Sequence, residues 1–157
     1  LVAGAVEKFK DPVMPGFFIG PSSADAGPLP RKPWFDHACP SGNSALLRCF
    51  SQLAYVGSDP RRWKGEYEEA LAGYPKLSQA SPDGIGHALG ALTEATVGIV
   101  ELFGPAEDLS SLVAKLGMSP HRPIFLGTGD RLQIRVNGRF VAAEPQNPEE
   151  AVAVIRR

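Results

Sequence analysis

Apolar positions recur with helical spacing through the first two thirds of the chain and gather into strand-like runs in the last third. Leu46, Leu47, Phe50, Leu53 and Ala54 fall at i, i+1, i+4, i+7 and i+8, the spacing of one broad helix face. The stretch before them, from Trp34 to Ser44, is polar and turn-rich. Within it Ser41 is an N-cap, its hydroxyl placed to accept from the backbone N–H of Asn43 or Ser44. Pro40 biases its predecessor toward extended backbone. A helix is expected from Ser41 to Val56, with Gly57 as its C′ glycine. Asp59 and Pro60 then suit the cap and first position of another helix. Trp63, Tyr67, Ala70 and Leu71 form its inward stripe, and the two helices make an αα-hairpin. A third helical region spans Pro75 to Thr96, split at Ser81-Pro82-Asp83-Gly84. Leu1 to Phe9 reads as the end of a helix in a longer chain. Between it and Pro40 runs a Pro- and Gly-rich connection in which Gly16–Gly20 is a short strand or a buried turn, and Trp34 and Phe35 anchor its end.

The texture changes near Val97. Val97–Phe103 reads as a buried strand, and Ala106–Leu116 as a helix with Leu109, Leu112, Val113 and Leu116 on one face, ended by Gly117. Arg122–Gly127 is a second strand, expected parallel to the first across a helical crossover. Arg131–Val136 alternates like a half-exposed strand, Asn137-Gly138 signals a tight hairpin, and Arg139–Ala142 returns antiparallel. Asn147 opens a last helix through Ile155, with Glu149 and Glu150 in its first turn. The fold class is therefore α+β: helical hairpins over 1–96, then a small β-α-β-ββ-α module over 97–157.

Composition changes this picture little. The 157 residues carry a formal net charge of −1, a length suited to a respectable core. No basic run is present; Arg61-Arg62 and Arg156-Arg157 are too short to make nucleic acid a partner. No apolar run spans a bilayer, so no membrane is expected, and the opening residues lack the basic start, apolar run and cleavage site expected of a signal peptide. Cys39 and Cys49 would lie about 14 Å apart along a helix axis, too far for a disulfide. Reduced thiols and a cytoplasmic setting follow.

Several stretches, taken in order, carry a resemblance. They are Gly16-Phe17-Phe18, the run Asp36-His37-Ala38-Cys39-Pro40-Ser41-Gly42-Asn43-Ser44, the helical hairpin, the strand near Val97–Leu102, and the final hairpin and helix with Asn147-Pro148-Glu149-Glu150-Ala151. Together they resemble the C-terminal third of the thioredoxin-domain-containing proteins related to the spermatogenesis-associated, spermatid-specific thioredoxin-like protein and its bacterial counterparts. The family pattern is Asp-Gly-Ala-any-Pro-Ser-Gly-Asn-Ser. Asp36, Ala38, Pro40, Ser41, Gly42, Asn43 and Ser44 match it, and His37 stands in place of its glycine. The resemblance implies a thioredoxin-like domain outside these residues, followed by an (α/α)6 toroid similar to six-hairpin glycosidases and sugar epimerases. Residues 1–96 would be the end of that toroid and 97–157 a closing module. No Cys-any-any-Cys occurs here, so thioredoxin activity does not carry over.

In such a toroid, loops before inner helices line the pocket mouth, which would offer Asp36, His37, Ser41 and Asn43 to a carbohydrate-like small molecule. Asp36 beside His37 would supply acid–base function, and Asn43 would bond sugar hydroxyls or a phosphate oxygen. The competing reading makes Ser41 and Asn43 a helix cap and gives Asp36 to local backbone. A glycosidase needs two carboxylates about 5–10 Å apart. Glu66, Glu68 and Glu69 read as solvated, and Glu94 and Glu101 flank a core segment without an evident partner. The catalytic machinery is therefore incomplete. A third reading is a Cys/His enzyme centred on Asp36, His37 and Cys39, with a thiolate at a helix N-terminus and His37 or His87 beside it. Ser41 lacks the nucleophile-elbow context. His37, His87 and His121 show no metal-ligand spacing, and no metal or cofactor is called for. His87 reads as a packed core histidine. Gly127-Thr128-Gly129-Asp130 precedes a strand and not a helix, so it is no phosphate loop. Self-association through exposed apolar helix faces, association with the rest of a longer chain, and a purely structural or protein-interaction role complete the expectations.

Overall fold

The computed structural model describes residues 1–20, 31–117, 123–141 and 145–155. The 21–30 part of the Pro/Gly-rich connection, His121, Arg122, Ala142 and Arg156-Arg157 lie outside them. Among the described residues the chain is α+β, with seven α-helices and one four-stranded mixed sheet. It divides into two compact units, Leu1–Thr93 and Glu94–Arg157.

The first unit is helical. Its elements are α1 (Val2–Phe9), α2 (Gly42–Val56), α3 (Pro60–Leu71), α4 (Pro75–Ala80), a 3-10 turn (Pro82–Ile85) and α5, which runs from Gly86 to Val97. The start signals act as their chemistry dictates. Ser41 Oγ accepts from Ser44 N–H at 3.1 Å to cap α2, and Asp59 Oδ1 accepts from Arg62 N–H at 3.1 Å to cap α3, with Pro60 at its first position. Gly57 departs from expectation. Its φ of −70° is ordinary extended backbone, not the left-handed C′ geometry. What excludes a side chain there is space, since a Cβ would lie 2.5 Å from Leu53 O and 2.7 Å from the Trp63 ring.

Leu47 and Phe50 are completely buried, and Phe17, Trp63, Ala70, Tyr74, Ile85, Ala88 and Ala91 complete the core around them. Phe50 stacks on Trp63 with ring centroids 6.0 Å apart and meets Phe17 at 5.7 Å. Burying one such ring stabilises the unit by about 2–3 kcal/mol. The connection after α1 is thus tied down: Phe17 enters the core, and an isolated antiparallel bridge joins it to Lys10. Trp34 fits edge-on to Tyr74, centroids 5.1 Å apart, in a slot whose walls are Gly16 and Gly73. Gly16 has φ +100°, and a Cβ there would stand 2.6 Å from the indole. Of the acids read as solvated, Glu66 is half-buried and receives Lys10 Nζ at 2.8 Å, while Glu69 stays exposed as it meets the same ammonium at 2.8 Å. Helix periodicity does not reveal a partner 56 residues away.

The second unit contains β1 (Val100–Gly104), α6 (Ala106–Leu116), β2 (Ile124–Thr128), β3 (Gln133–Val136), β4 (Arg139–Phe140) and α7 (Pro148–Ile155). The order is β2-β1-β3-β4. β1 and β2 are parallel with Leu102 opposite Leu126, and β3 is antiparallel to β1 with Ile134 opposite Leu102. Val100, Leu102, Leu109, Leu112, Leu132, Ile134 and Ala151 form the core. Val113, expected on the inner face of α6, is 41% exposed. β1 begins at Val100, later than expected, because α5 continues to Val97.

Asn137-Gly138 turns with φ +52° and +76°, the left-handed pair of a tight hairpin. Asn137 has a second task that the hairpin signal did not disclose. Its Oδ1 accepts from Ile99 N–H at 2.8 Å while its own N–H donates to Ile99 O at 3.0 Å. At the last helix Asn147 Oδ1 accepts from Glu150 N–H at 3.0 Å, and Glu150 reaches back to Asn147 Nδ2 and Gln146 N–H, a reciprocal cap. No described helix is long and apolar enough to cross a membrane.

Candidate functional site

The corner from Asp36 to Ser44 is held by main-chain groups of its own unit. Asp36 Oδ1 accepts from Ser41 N–H and Oδ2 from His87 N–H, both at 2.8 Å, so one carboxylate joins the cap of α2 to the first turn of α5. Asp36 N–H in turn donates to Gly84 O at 2.7 Å. Partial burial pushes the Asp36 carboxyl up, but the N–H groups of Ser41 and His87 outweigh it and leave the group below the usual carboxylate range. The environment therefore keeps Asp36 ionised, whereas a general acid needs a raised value.

Asn43 is 2% exposed and acts as a substitute peptide group. Its Oδ1 accepts from Phe17 N–H at 2.7 Å, and its Nδ2 donates to Phe17 O at 3.0 Å and Pro33 O at 2.8 Å. Ser41 Oγ, beside its capping bond, lies 3.2 Å from Trp34 O and 2.9 Å from Ser44 Oγ. Ser44 Oγ in turn lies 3.3 Å from the Tyr74 hydroxyl. Burial pushes the Tyr74 phenol upward, so this chain of hydroxyls stays neutral.

His37 and Cys39 are exposed. Both Asp36 oxygens are spent on N–H groups, and His37 uses only its backbone, donating to Cys39 O at 3.1 Å. The structure thus brings Asp36, Ser41 and Asn43 together and leaves His37 and Cys39 on the outside. His87 is half-buried rather than packed in the core, and its backbone N–H is the group that donates to Asp36. Cys49 is half-buried, and burial pushes its thiol up; both cysteines are free. Among the described residues no group of three His, Cys, Asp or Glu side chains converges as metal ligands would.

Hollows open among the described residues of the helical unit. One, of about 280 Å³, is walled by Leu71, Tyr74, Pro75, Ile85, Ala88 and Leu89. Another, of about 500 Å³, lies against Met14, Lys32, Trp34, Gly73, Lys76 and Leu77. Neither is lined by Asp36, His37, Ser41 or Asn43. Lys32 faces inward to its own loop, donating to Met14 O at 3.2 Å and Pro15 O at 2.9 Å and pairing with Asp11 at 2.6 Å. That contact, with the N–H groups of Val13 and Met14, holds the Asp11 carboxyl at about 2.

In the second unit Glu101 does have a partner. Arg135 Nη1 donates to Glu101 Oε1 at 3.2 Å and Nη2 to Gly138 O at 3.2 Å. The guanidinium also lies over Phe140 at 5.3 Å and Phe103 at 5.9 Å. This is a cross-strand pair in register and not a pair of carboxylates flanking a bond to be cut.

The arrangement defines a class of site: a helix-capping corner whose polar atoms serve the fold, beside a hollow lined by tryptophan and lysine. Comparison of the chain with protein-family models, with curated proteins and with solved structures finds no match.

Proposed function

We propose that this chain is a non-catalytic scaffold and interaction region in which the Asp36–Ser44 corner fastens the connection after α1 and the start of α5 onto α2. One observation carries this reading: Asp36, Ser41 and Asn43 direct their polar atoms at the main chain of Phe17, Pro33, Ser44 and His87. Ser41→Ala is expected to lower the stability of the helical unit by about 1 kcal/mol, a typical cap loss, while His37→Ala changes it by less than about 0.5 kcal/mol. Urea unfolding followed by tryptophan fluorescence reads this unit alone, because the two tryptophans, Trp34 and Trp63, both belong to it. A larger loss from His37→Ala than from Ser41→Ala would overturn the scaffold reading. On the same footing we propose that the helical unit is a portion of an α/α toroid. The Asp36–Ser44 stretch and the α2–α3 hairpin support that placement.

A second reading has its own support in the 500 Å³ hollow beside Trp34. The accessible edge of an indole with an ammonium group nearby suits a neutral or weakly acidic carbohydrate-like molecule, the ring edge packing against the apolar face of a sugar. Titration of the Trp63→Phe variant with simple mono- and disaccharides is expected to change Trp34 emission with millimolar affinity, on the order of −4 kcal/mol. Lys76→Ala should weaken the response. An unchanged spectrum across the panel removes the carbohydrate reading and leaves the scaffold.

A further inference from the structure

Asn137 and Gly138 form the tip of the β3–β4 hairpin, with φ +52° and +76°. Asn137 is exposed to solvent, yet its side chain is held. Its Oδ1 accepts from Ile99 N–H at 2.8 Å and its own N–H donates to Ile99 O at 3.0 Å, so one residue clasps both backbone groups of another. Gly98, with φ +79°, lies so close that a Cβ there would run into the Asn137 carboxamide. On the far side of the turn Arg135 Nη2 donates to Gly138 O at 3.2 Å. Among the described residues nothing accepts from Asn137 Nδ2. An asparagine followed by glycine carries a chemistry of its own. With no side chain on the glycine, its amide nitrogen approaches the asparagine Cγ without hindrance once the backbone is free to turn.

We propose that Asn137-Gly138 is a site of spontaneous deamidation, locked while the hairpin is closed and released when it opens. Gly138 N gives its proton to hydroxide and bonds to Asn137 Cγ. The Cγ–Nδ2 bond breaks, and Nδ2 takes a proton from water and leaves as ammonia. A five-membered succinimide ring remains, which water opens at either of its carbonyls. Addition at Cγ yields aspartate. Addition at the Asn137 main-chain carbonyl yields isoaspartate, with the chain now running through Cβ and Cγ. Forming the planar ring requires the Asn137 ψ to leave the value that a type I′ turn imposes, and the carboxamide to let go of Ile99 N–H. Closed hairpin and ring are therefore exclusive. The two products differ in what they restore. Aspartate keeps an acceptor for Ile99 N–H, so the hairpin closes again. Isoaspartate lengthens the main chain by one carbon, so Val136 and Arg139 lose their register across the two-residue turn. The step records that the hairpin has opened, and isoaspartate keeps it from closing.

The full chain is incubated at one pH and temperature, folded or held unfolded in urea, and both products at position 137 are followed by peptide mass spectrometry. The folded chain is expected to react at least about tenfold more slowly, because only its open fraction cyclises. The same opening exposes the Asn137 and Ile99 amides to hydrogen exchange, so the slowing of exchange and of deamidation should agree within about threefold. Gly98→Ala pushes the carboxamide out of its clasp. It should speed the reaction in the folded chain and leave the rate in urea unchanged, since residue 98 is far from the reacting bond in sequence. Gly138→Ala should slow the reaction in urea, where turn strain plays no part. The comparison within the natural chain stands even where a variant fails to fold. Equal rates folded and unfolded would remove the lock, and an unfolded chain that yields neither product would remove the site. A folded Gly98→Ala chain that reacts no faster, or slowing factors that disagree beyond the stated range, would place control outside the Ile99 clasp and overturn the proposal as well.

Discussion

Asn43→Ala is expected to lower the stability of the helical unit by roughly 3 kcal/mol. The substitution removes no large apolar surface. Its cost arises from the groups left behind: Phe17 N–H, Phe17 O and Pro33 O each lose their partner. A buried donor or acceptor left unsatisfied costs about 1–3 kcal/mol, less where water can enter. Phe17 is 3% exposed, so water reaches its backbone poorly, whereas the Pro33 bond is only partly buried. Asn43→Asp is the informative companion. It keeps an acceptor for Phe17 N–H but sets a carboxylate oxygen against two carbonyls, and it should destabilise at least as strongly as alanine. Urea unfolding with tryptophan emission measures both. If Asn43→Ala costs less than about 0.5 kcal/mol, the three bonds do not hold the connection after α1, and the scaffold reading loses its main support.

This residue also marks the limit of what local pattern discloses. Each helix start was legible because it depends on a side chain and a backbone group at most three residues apart: Ser41 with Ser44, Asp59 with Arg62, Asn147 with Glu150. The Asn137-Gly138 hairpin was legible for a similar reason, since its turn chemistry acts over a few residues; the parallel β1–β2 pair followed instead from the rule for strands joined by a helical crossover. The partners of Asn43 lie 26 and 10 residues away, and those of Asp36 lie 5 and 51 residues away. No periodicity encodes such distances. The same gap hid the pairing of Lys10 with Glu66 and of Glu101 with Arg135. It also made His87 read as a core side chain, when its backbone N–H is the group in use. At the corner the sequence therefore indicated which residues matter but left open whether their polar atoms point at a ligand or at the chain. The geometry turns Ser41 and Asn43 inward and leaves His37 and Cys39 outside.

Asp36→Ala is expected to cost about 2 kcal/mol at neutral pH, because a charge-assisted bond to a backbone N–H contributes about 1.5–3 kcal/mol and the site is only partly buried. Both bonds end at helix N-termini, where a negative charge also meets the favourable end of the dipole. The pH dependence separates this role from simple packing. The folded carboxyl titrates below the unfolded value of 3.8, so the folded state binds its proton less readily than the unfolded state does. The stabilisation is therefore fully present above 3.8 and is lost as pH falls through the lower, folded value. Asp36→Asn keeps the shape and one acceptor but cannot ionise. Its stability deficit relative to the natural chain should be constant between about pH 5 and 8 and shrink in acid as Asp36 takes up its proton. Asp11 contributes its own acid-labile stabilisation through Lys32, and because it is present in both proteins it cancels from the difference. A deficit that stays constant down to about pH 2 would mean that the charge of Asp36 does not join the two helix starts, and that only its size matters there.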